Sequence, residues 1–293
     1  MHIPVLQKEA IEYLNPESNE NFIDCTINGG GHALAILEKT APRGRLLGID
    51  LDREQIQNSK FKNQNLKKRL ILVNDNFANL EKIIKEHKFK KISGILLDLG
   101  FSSWHIEESG RGFSFSKKEP LDMRYDVNFP LTAEKILNYW SELDLEKILR
   151  EYGQEPFSKE IAKGIIEARK LIQIKNTLQL VGIIGRFVDS KYRRQKIHFA
   201  TRTFQALRIA VNDELDNLKK VLPRALEALE KEGRLVVISF HSLEDGIVKN
   251  FFEIGEKRGS LKVLTKKPAL PQKIEIINNN RARSAKLRAA EKI

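Results

Sequence analysis

The stretch Phe22-Ile23-Asp24-Cys25-Thr26-Ile27-Asn28-Gly29-Gly30-Gly31-His32 constrains the fold more than any other in the chain. Phe22 and Ile23 form a short apolar run, and Asp24 and Thr26 put polar groups at its end. Three consecutive glycines then allow positive φ and let a backbone approach a ligand closely. Ala33 to Lys39 reads as a helix, so the turn feeds a helix N-terminus, whose free N–H groups favour anions and other acceptors. A strand, a glycine turn and a helix suggest a nucleotide-like cofactor. The same pattern also serves dinucleotides, phosphates and plain tight packing, so context must decide.

The context is a repeating unit. Gly44 to Asp52 is a second apolar strand ending in carboxylates. Asp50 falls where a nucleoside-binding α/β sheet places the acid that holds ribose hydroxyls, which argues against a 2′-phosphate. Arg69 to Asn74 is a third strand, closing at Asp75-Asn76-Phe77, where an aromatic ring can stack on a purine or pack into the core. Ile92 to Leu97 is the fourth and most apolar, followed by Asp98-Leu99-Gly100-Phe101-Ser102-Ser103-Trp104-His105. In a doubly wound sheet ligands bind outside the carboxyl ends of the strands, so Asp24, Asp50, Phe77 and Asp98 are expected on one rim. Met1 to Pro16 reads as an extended entry and a short helix from Glu9 to Leu14, expected to pack over the cofactor edge.

The β–α alternation stops at Ile106 and returns after Thr203. Between them the pattern predicts loops and helices, over 132–139, 144–152, 158–170 and 178–188. This makes residues 106–203 an inserted helical domain and residues 1–105 with 204–293 a discontinuous sheet domain. A long amphipathic helix is expected from Phe204 to Leu229, then a strong strand from Gly233. Short basic runs around 261–264 and 284–288 suit an antiparallel pair at the sheet edge, where charge also guards against aggregation.

Charge points to a polyanion. Lys and Arg number 51 against 39 Asp and Glu, a net charge of +12, and residues 255–293 alone hold eleven basic against three acidic side chains. Lys191, Arg193, Arg194, Lys196 and Arg202 occur within twelve residues, interleaved with Tyr192, His198 and Phe199. Such a run can grip phosphates and stack on splayed bases, or can be a solvated linker. Cys25 is the lone cysteine, which excludes a disulfide framework or a thiolate metal cluster, and no metal is expected. No apolar run approaches the roughly 18 residues of a membrane span, so a cytoplasmic protein with no membrane partner is expected.

Several of these segments together resemble the bacterial RsmH (MraW) family over essentially the whole length. They are Asp24-x-Thr26 with Gly29-Gly-Gly-His32, Asp98-Leu-Gly100-x-Ser-Ser103, Arg111-Gly-Phe-Ser-Phe115, Leu121-Asp-Met-Arg124, Ala200-Thr-Arg-Thr-Phe-Gln-Ala-Leu-Arg-Ile209, Ile238-Ser-Phe-His-Ser-Leu-Glu-Asp245 and Arg281-Ala-Arg-Ser-Ala-Lys-Leu-Arg288. The resemblance implies an α/β fold, a class I (Rossmann-like) methyltransferase sheet carrying an inserted, mostly helical second domain. It implies an S-adenosylmethionine-dependent enzyme that methylates N4 of a cytidine in the decoding region of 16S ribosomal RNA. The implied partner is that RNA, within an assembled small ribosomal subunit, and a homodimer is compatible with it. Carried over by position, the cofactor's methionine end falls near Gly30, Gly31 and His32, its ribose at Asp50 and its adenosine at Phe77, with Asp98 and His105 completing the pocket.

The chemistry of that reaction narrows the catalytic residues. A sulfonium is an activated methyl donor, so alignment is the main task. The cytosine amine shares its lone pair with the ring, and acceptors around N4 would restore its nucleophilicity. Asp98, Ser102 and the carbonyl beside Leu99 are the expected acceptors, and a weak base suffices for the released proton. The serines can equally cap a loop. Two rival readings remain at this point. An NAD-dependent oxidoreductase would share the first strands, but Gly29-Gly-Gly-His-Ala-Leu34 lacks the final glycine of its fingerprint. A non-catalytic RNA-binding protein would need only the basic surface and would leave the rim unexplained.

Overall fold

The computed structural model describes residues 4–58, 66 and 68–293, so the start of the expected extended entry, Met1 to Ile3, lies outside the described residues. The chain forms two compact units, one of residues 1–102 with 215–293 and one of residues 103–214.

The first unit is a mixed sheet with helices. In chain order it contains α1 (Gln7–Leu14), β1 (Asn21–Asp24), α2 (Gly31–Lys39), β2 (Leu46–Asp50), α3 (Arg53–Asn58), β3 (Leu70–Asn74), α4 (Leu80–Glu86) and β4 (Ile92–Asp98). The described strands lie in the order β3-β2-β1-β4-β5-β7-β6, where β5 is Leu229–Ser239, β6 is Leu261–Val263 and β7 is Lys286–Lys292. The first five run parallel, and β7 pairs antiparallel with both β5 and β6. An antiparallel pair does form at the sheet edge, but β6 meets β7 through Ala290 to Lys292, while Lys286 to Arg288 of the expected run pair with β5. The parallel strands are nearly continuous apolar runs because both faces are covered. Ile23, Leu47, Ile95 and Val237 belong to one buried cluster, and Phe22, Leu46, Leu96 and Val236 to another. Strand β1 pairs with β2 on one side and β4 on the other, so the order reverses at β1/β4 and a crevice opens at the carboxyl ends there.

The second unit is helical, around a core that includes Ile136, Leu145, Ile161, Leu180, Ile184 and Leu207. Its helices α5 (Ser103–Glu107), α6 (Ala133–Tyr139), α7 (Glu142–Glu151), α8 (Ser158–Leu171), α9 (Thr177–Phe187) and α10 (Ser190–Arg193) are followed by α11 (Thr201–Asn212). Side chains of Thr132, Ser141, Asn176 and Asp189 accept bonds from first-turn amides of α6, α7, α9 and α10, which fixes those starts.

The long helix expected from Phe204 to Leu229 is two helices. Asp213 takes φ 51, closing α11, and α12 (Glu214–Ala228) begins at the next residue. Asn212 carries the reason: its side chain donates to the Met123 carbonyl at 2.8 Å and accepts from the Tyr125 amide at 2.9 Å. Arg208 then braces the corner with two bonds to Glu214, at 2.9 and 3.0 Å. The apolar face of α11 packs in the helical core through Phe204, Leu207 and Val211, so residues 204–214, expected in the sheet domain, join the helical unit.

Candidate functional site

The glycine turn has the conformation its sequence calls for. The Gly30 amide donates to the Ile27 carbonyl at 2.7 Å, and Asn28 and Gly30 both take positive φ, 43° and 79°. Asn28 is among the few side chains that tolerate this region, and Gly30 caps α2 from it. Gly31 faces the N-terminal segment: a Cβ there would stand 2.2 Å from Pro4 Cγ, and Gln7 donates to the Gly31 carbonyl at 2.8 Å. The segment before β1 therefore closes over the turn.

Three strand ends meet beside it. The Asp98 amide donates to Thr26 Oγ1 at 2.6 Å, tying the end of β4 to the residues that follow β1. Asp24 accepts from the Thr26 amide at 3.1 Å and is almost fully buried. His32, on the first turn of α2, is buried with its Nε2 3.6 Å from Asp98 Oδ2. Among the described residues His32 Nδ1, His32 Nε2 and Asp98 Oδ1 have no partner in full hydrogen-bond geometry, although Asp98 and the Val5 backbone lie close enough to His32 to favour its charged form. Unsatisfied buried polar atoms are rare enough to call for an explanation, and a ligand is the simplest one.

The electrostatics agree with an acidic, ligand-seeking pocket. Burial pushes Asp24 up to about 6, against the opposing pull of His32 and the Thr26 amide. Burial works against a charged His32, but the Asp98 and Asp24 carboxylates outweigh it and raise its pKa. Asp50, at the end of β2, is pushed up to about 7 by burial, although it accepts from the Asp52 and Asn28 amides, each at 2.9 Å. Each Asp50 oxygen thus holds one backbone donor and keeps a lone pair for a further one. A cation or a pair of hydroxyls brought here would favour the charged carboxylates that burial disfavours.

The remaining expected residues fall in different settings. Phe77 opens a single 3-10 turn after β3 and is half-buried against the core. Ser102 is buried at the close of the loop after β4. His105 belongs to the helical unit, on α5, where its ring meets Trp104, Phe113 and Tyr125 edge-on at centroid distances of 5.3, 5.0 and 5.2 Å. The structure thus brings Gly30, Gly31, His32, Asp50 and Asp98 to the turn and strand ends of the sheet unit. Thr26, read from the sequence as a polar group closing the first strand and as part of the Asp24-x-Thr26 motif, is the residue through which β4 is tied to β1.

The basic segment of the helical unit divides in two. Lys191, Arg193, Arg194, Lys196 and His198 are exposed. Tyr192 is buried instead, its hydroxyl on Glu155 Oε2 at 3.1 Å, and Arg202 donates to the Gln154 carbonyl at 2.9 Å. These two, expected to face RNA, serve the fold. The His198 ring is stacked between Phe115 and Phe199, each at a centroid distance of 4.4 Å.

A seven-stranded sheet in this order, with the glycine turn after β1 and acids ending β1, β2 and β4, is the Rossmann-like sheet of class I methyltransferases. The same architecture relates the chain to the crystal structure of a putative rRNA-methylase from Clostridium thermocellum, with a TM-score of 0.50 and 14% identity over all of both chains. The model of the MraW methylase family matches residues 1–293, and the chain belongs to that family. Relatives named ribosomal RNA small subunit methyltransferase H include that of Thermotoga neapolitana, 46% identical over 99% of this chain and 95% of the relative. That of Heliobacterium mobile is 44% identical over 100% and 99%.

Proposed function

We propose that this protein transfers a methyl group from S-adenosylmethionine to N4 of a cytidine in the decoding region of 16S ribosomal RNA. The observation that carries the reading is the Asp24, His32 and Asp98 cluster, buried at the strand switch with polar atoms that have no described partner in full hydrogen-bond geometry. The residues fit the cofactor: a sulfonium and an ammonium are cations, and two buried carboxylates suit them. Bound S-adenosylmethionine supplies an activated methyl, and the chain's own task is to bind, align and accept a proton. Gly30, Gly31 and His32 hold the methionine end, Asp50 the ribose and Phe77 the adenine. Asp98 and the backbone carbonyl of Leu99 accept from the cytidine amine, with Ser102 closing the loop, and Asp98 leads the released proton away.

The RNA as a whole is held by the exposed cations of the helical unit, and the reading places the enzyme in the cytoplasm, acting on an assembled small subunit as a monomer or a homodimer. Among the described residues no helix is long and apolar enough to cross a membrane.

The deciding experiment is nucleoside mass spectrometry of small-subunit RNA from cells with and without this gene. One N4-methylated cytidine should vanish, return with wild type and stay absent with Asp98→Ala. A methyl lost from a uridine or guanosine, or no change, would sink the proposal. Calorimetry tests the ribose contact. Hydroxyls donating to Asp50 favour its charged form, so binding should release a proton below pH about 7 and tighten as pH rises toward that value. Asp50→Ala should weaken binding by about ten- to a hundred-fold.

A further inference from the structure

Resting on the methyltransferase reading above, we propose that Arg281 is a positioning residue that fixes the Asp98–Ser102 loop for methyl transfer. Arg281 lies in the basic C-terminal stretch, 180 positions beyond that loop, in the 3-10 turn Asn280–Ser284. The turn cannot swing freely, because Ala282 and Ala285 are buried and join the cluster under the sheet. From it the Arg281 guanidinium reaches back and donates Nη2–H to the Phe101 carbonyl, with its central carbon 5.8 Å from the centre of the Phe101 ring. A cation that both bonds a carbonyl and covers the adjoining ring restrains that peptide more than a neutral donor would.

The other end of the loop is tied as well. The Leu99 amide donates to the Ile238 carbonyl on β5 at 2.9 Å, and Gly100 takes φ +88, open to glycine and rarely to other residues. Asp98 and the Leu99 carbonyl, the acceptors proposed for the cytidine amine, therefore precede a two-residue bridge held by β5 at one side and by Arg281 at the other. Arg281 touches neither cofactor nor base in this proposal. It acts through the loop, and a shift of about 1 Å in such a loop is enough to cost about 10²-fold in rate.

Arg281→Met keeps the apolar stem and removes every donor. Its kcat for methylation of small ribosomal subunits should fall about 10²-fold with cofactor Kd and melting temperature unchanged. Arg281→Lys should recover part of the rate, since an ammonium can bond the carbonyl but cannot reproduce the planar fork. Added guanidinium ion should restore activity to Arg281→Ala. Amide exchange at Gly100, Phe101 and Ser102 should speed up in Arg281→Met, and this readout does not depend on the reaction. If wild type methylates nothing, the functional reading falls while exchange still decides the role of Arg281. Unchanged exchange, or a kcat equal to wild type in Arg281→Met, would overturn the proposal. A loss of kcat matched by a loss of melting temperature, with no guanidinium rescue, would reduce Arg281 to a folding residue and overturn it too.

Discussion

Two basic stretches of this chain have similar compositions and opposite placements. In residues 281–292 four of the five cations turn inward, Arg283 alone being exposed: Arg281 holds the Phe101 carbonyl, Arg288 bonds Asp245 at 2.6 Å, Lys286 joins the same carboxylate at 3.2 Å, and Lys292 donates to the Leu229 carbonyl at 2.5 Å. In residues 191–198 the side chains of Lys191, Arg193, Arg194 and Lys196 stand in solvent, and among the described residues none of the four forms an ion pair. Cations already spent on the fold cannot release counterions from a nucleic acid. The difference teaches that a charge excess locates a polyanion site only after internal partners have been subtracted, which removes the cations of β7 from the RNA surface and leaves the run at 191–196 beside the exposed cations of the tail.

The largest effect that could break this comparison lies at Asp245. It stands in the first turn of the helix Ser242–Lys257 and receives the nearly buried Arg288. Burial alone would raise its pKa, but hydrogen bonds and charge from Arg288 and Lys286 outweigh it and hold the carboxyl below its ordinary value. Asp245→Ala leaves a buried guanidinium without its partner, which should cost about 3–5 kcal/mol of unfolding free energy. The sign of the pH dependence follows from the lowered pKa. The contribution is fully present above the unfolded carboxylate value of about 3.9 and is lost as pH falls through the lower folded value. Wild type and Asp245→Ala should therefore differ most near neutrality and converge below pH about 4 in denaturant melts. Equal stability at pH 7 would mean the tail cations are not spent on the fold.

Much of the sheet unit was legible because its signals are local. Apolar runs ending in Asp24, Asp50, Asn74 and Asp98 fix strands and their carboxyl ends, and the handedness of β–α–β crossovers leaves few ways to order them. The glycine turn was legible for the same reason, since positive φ at Gly30 is a demand on one residue. What escaped depends on partners distant in sequence. Nothing near Arg288 announces Asp245, 43 positions earlier, and an arginine in Leu287-Arg288-Ala289-Ala290 looks like an exposed strand position until β7 is covered on both faces. The break at Asp213 is likewise set by the Met123 and Tyr125 backbone, which α11 meets only after the helical unit has folded. Tyr192 has the right composition for a base-stacking residue, yet Glu155 takes its hydroxyl into the core. Several long motifs are structural in the same way: His241 accepts from the Glu244 amide to start a helix, and Arg124 forks onto Asp122 at 2.7 and 2.8 Å.

The smaller effect tests the other half of the comparison, and its value is that stability should not move. Arg193→Ala, Arg194→Ala and Lys196→Ala together remove three exposed cations, and surface substitutions away from caps and ion pairs stay within about 0.5 kcal/mol. Arg193 and Arg194 close the short helix after Asp189, but its cap is the Asp189 side chain on the Tyr192 amide, which the substitutions leave in place. If each side chain neutralises one phosphate, three contacts are lost, and on single-stranded RNA the slope of log K against log salt should shrink by about 0.7 per contact, or about 2 in all. Cofactor binding, proposed above to involve Asp50 and Asp98, should be unchanged. The measurement is a salt titration of RNA binding by wild type and the triple variant, with calorimetry of cofactor binding beside it. A slope that does not change would return this run to the status of a solvated linker and send the search for the RNA surface back to the cations of the tail that remain exposed, Lys257, Arg258, Lys262, Lys266, Lys267, Lys273 and Arg283. A reduced slope with intact cofactor affinity would separate the two kinds of arginine by experiment, as their partners separate them in the structure.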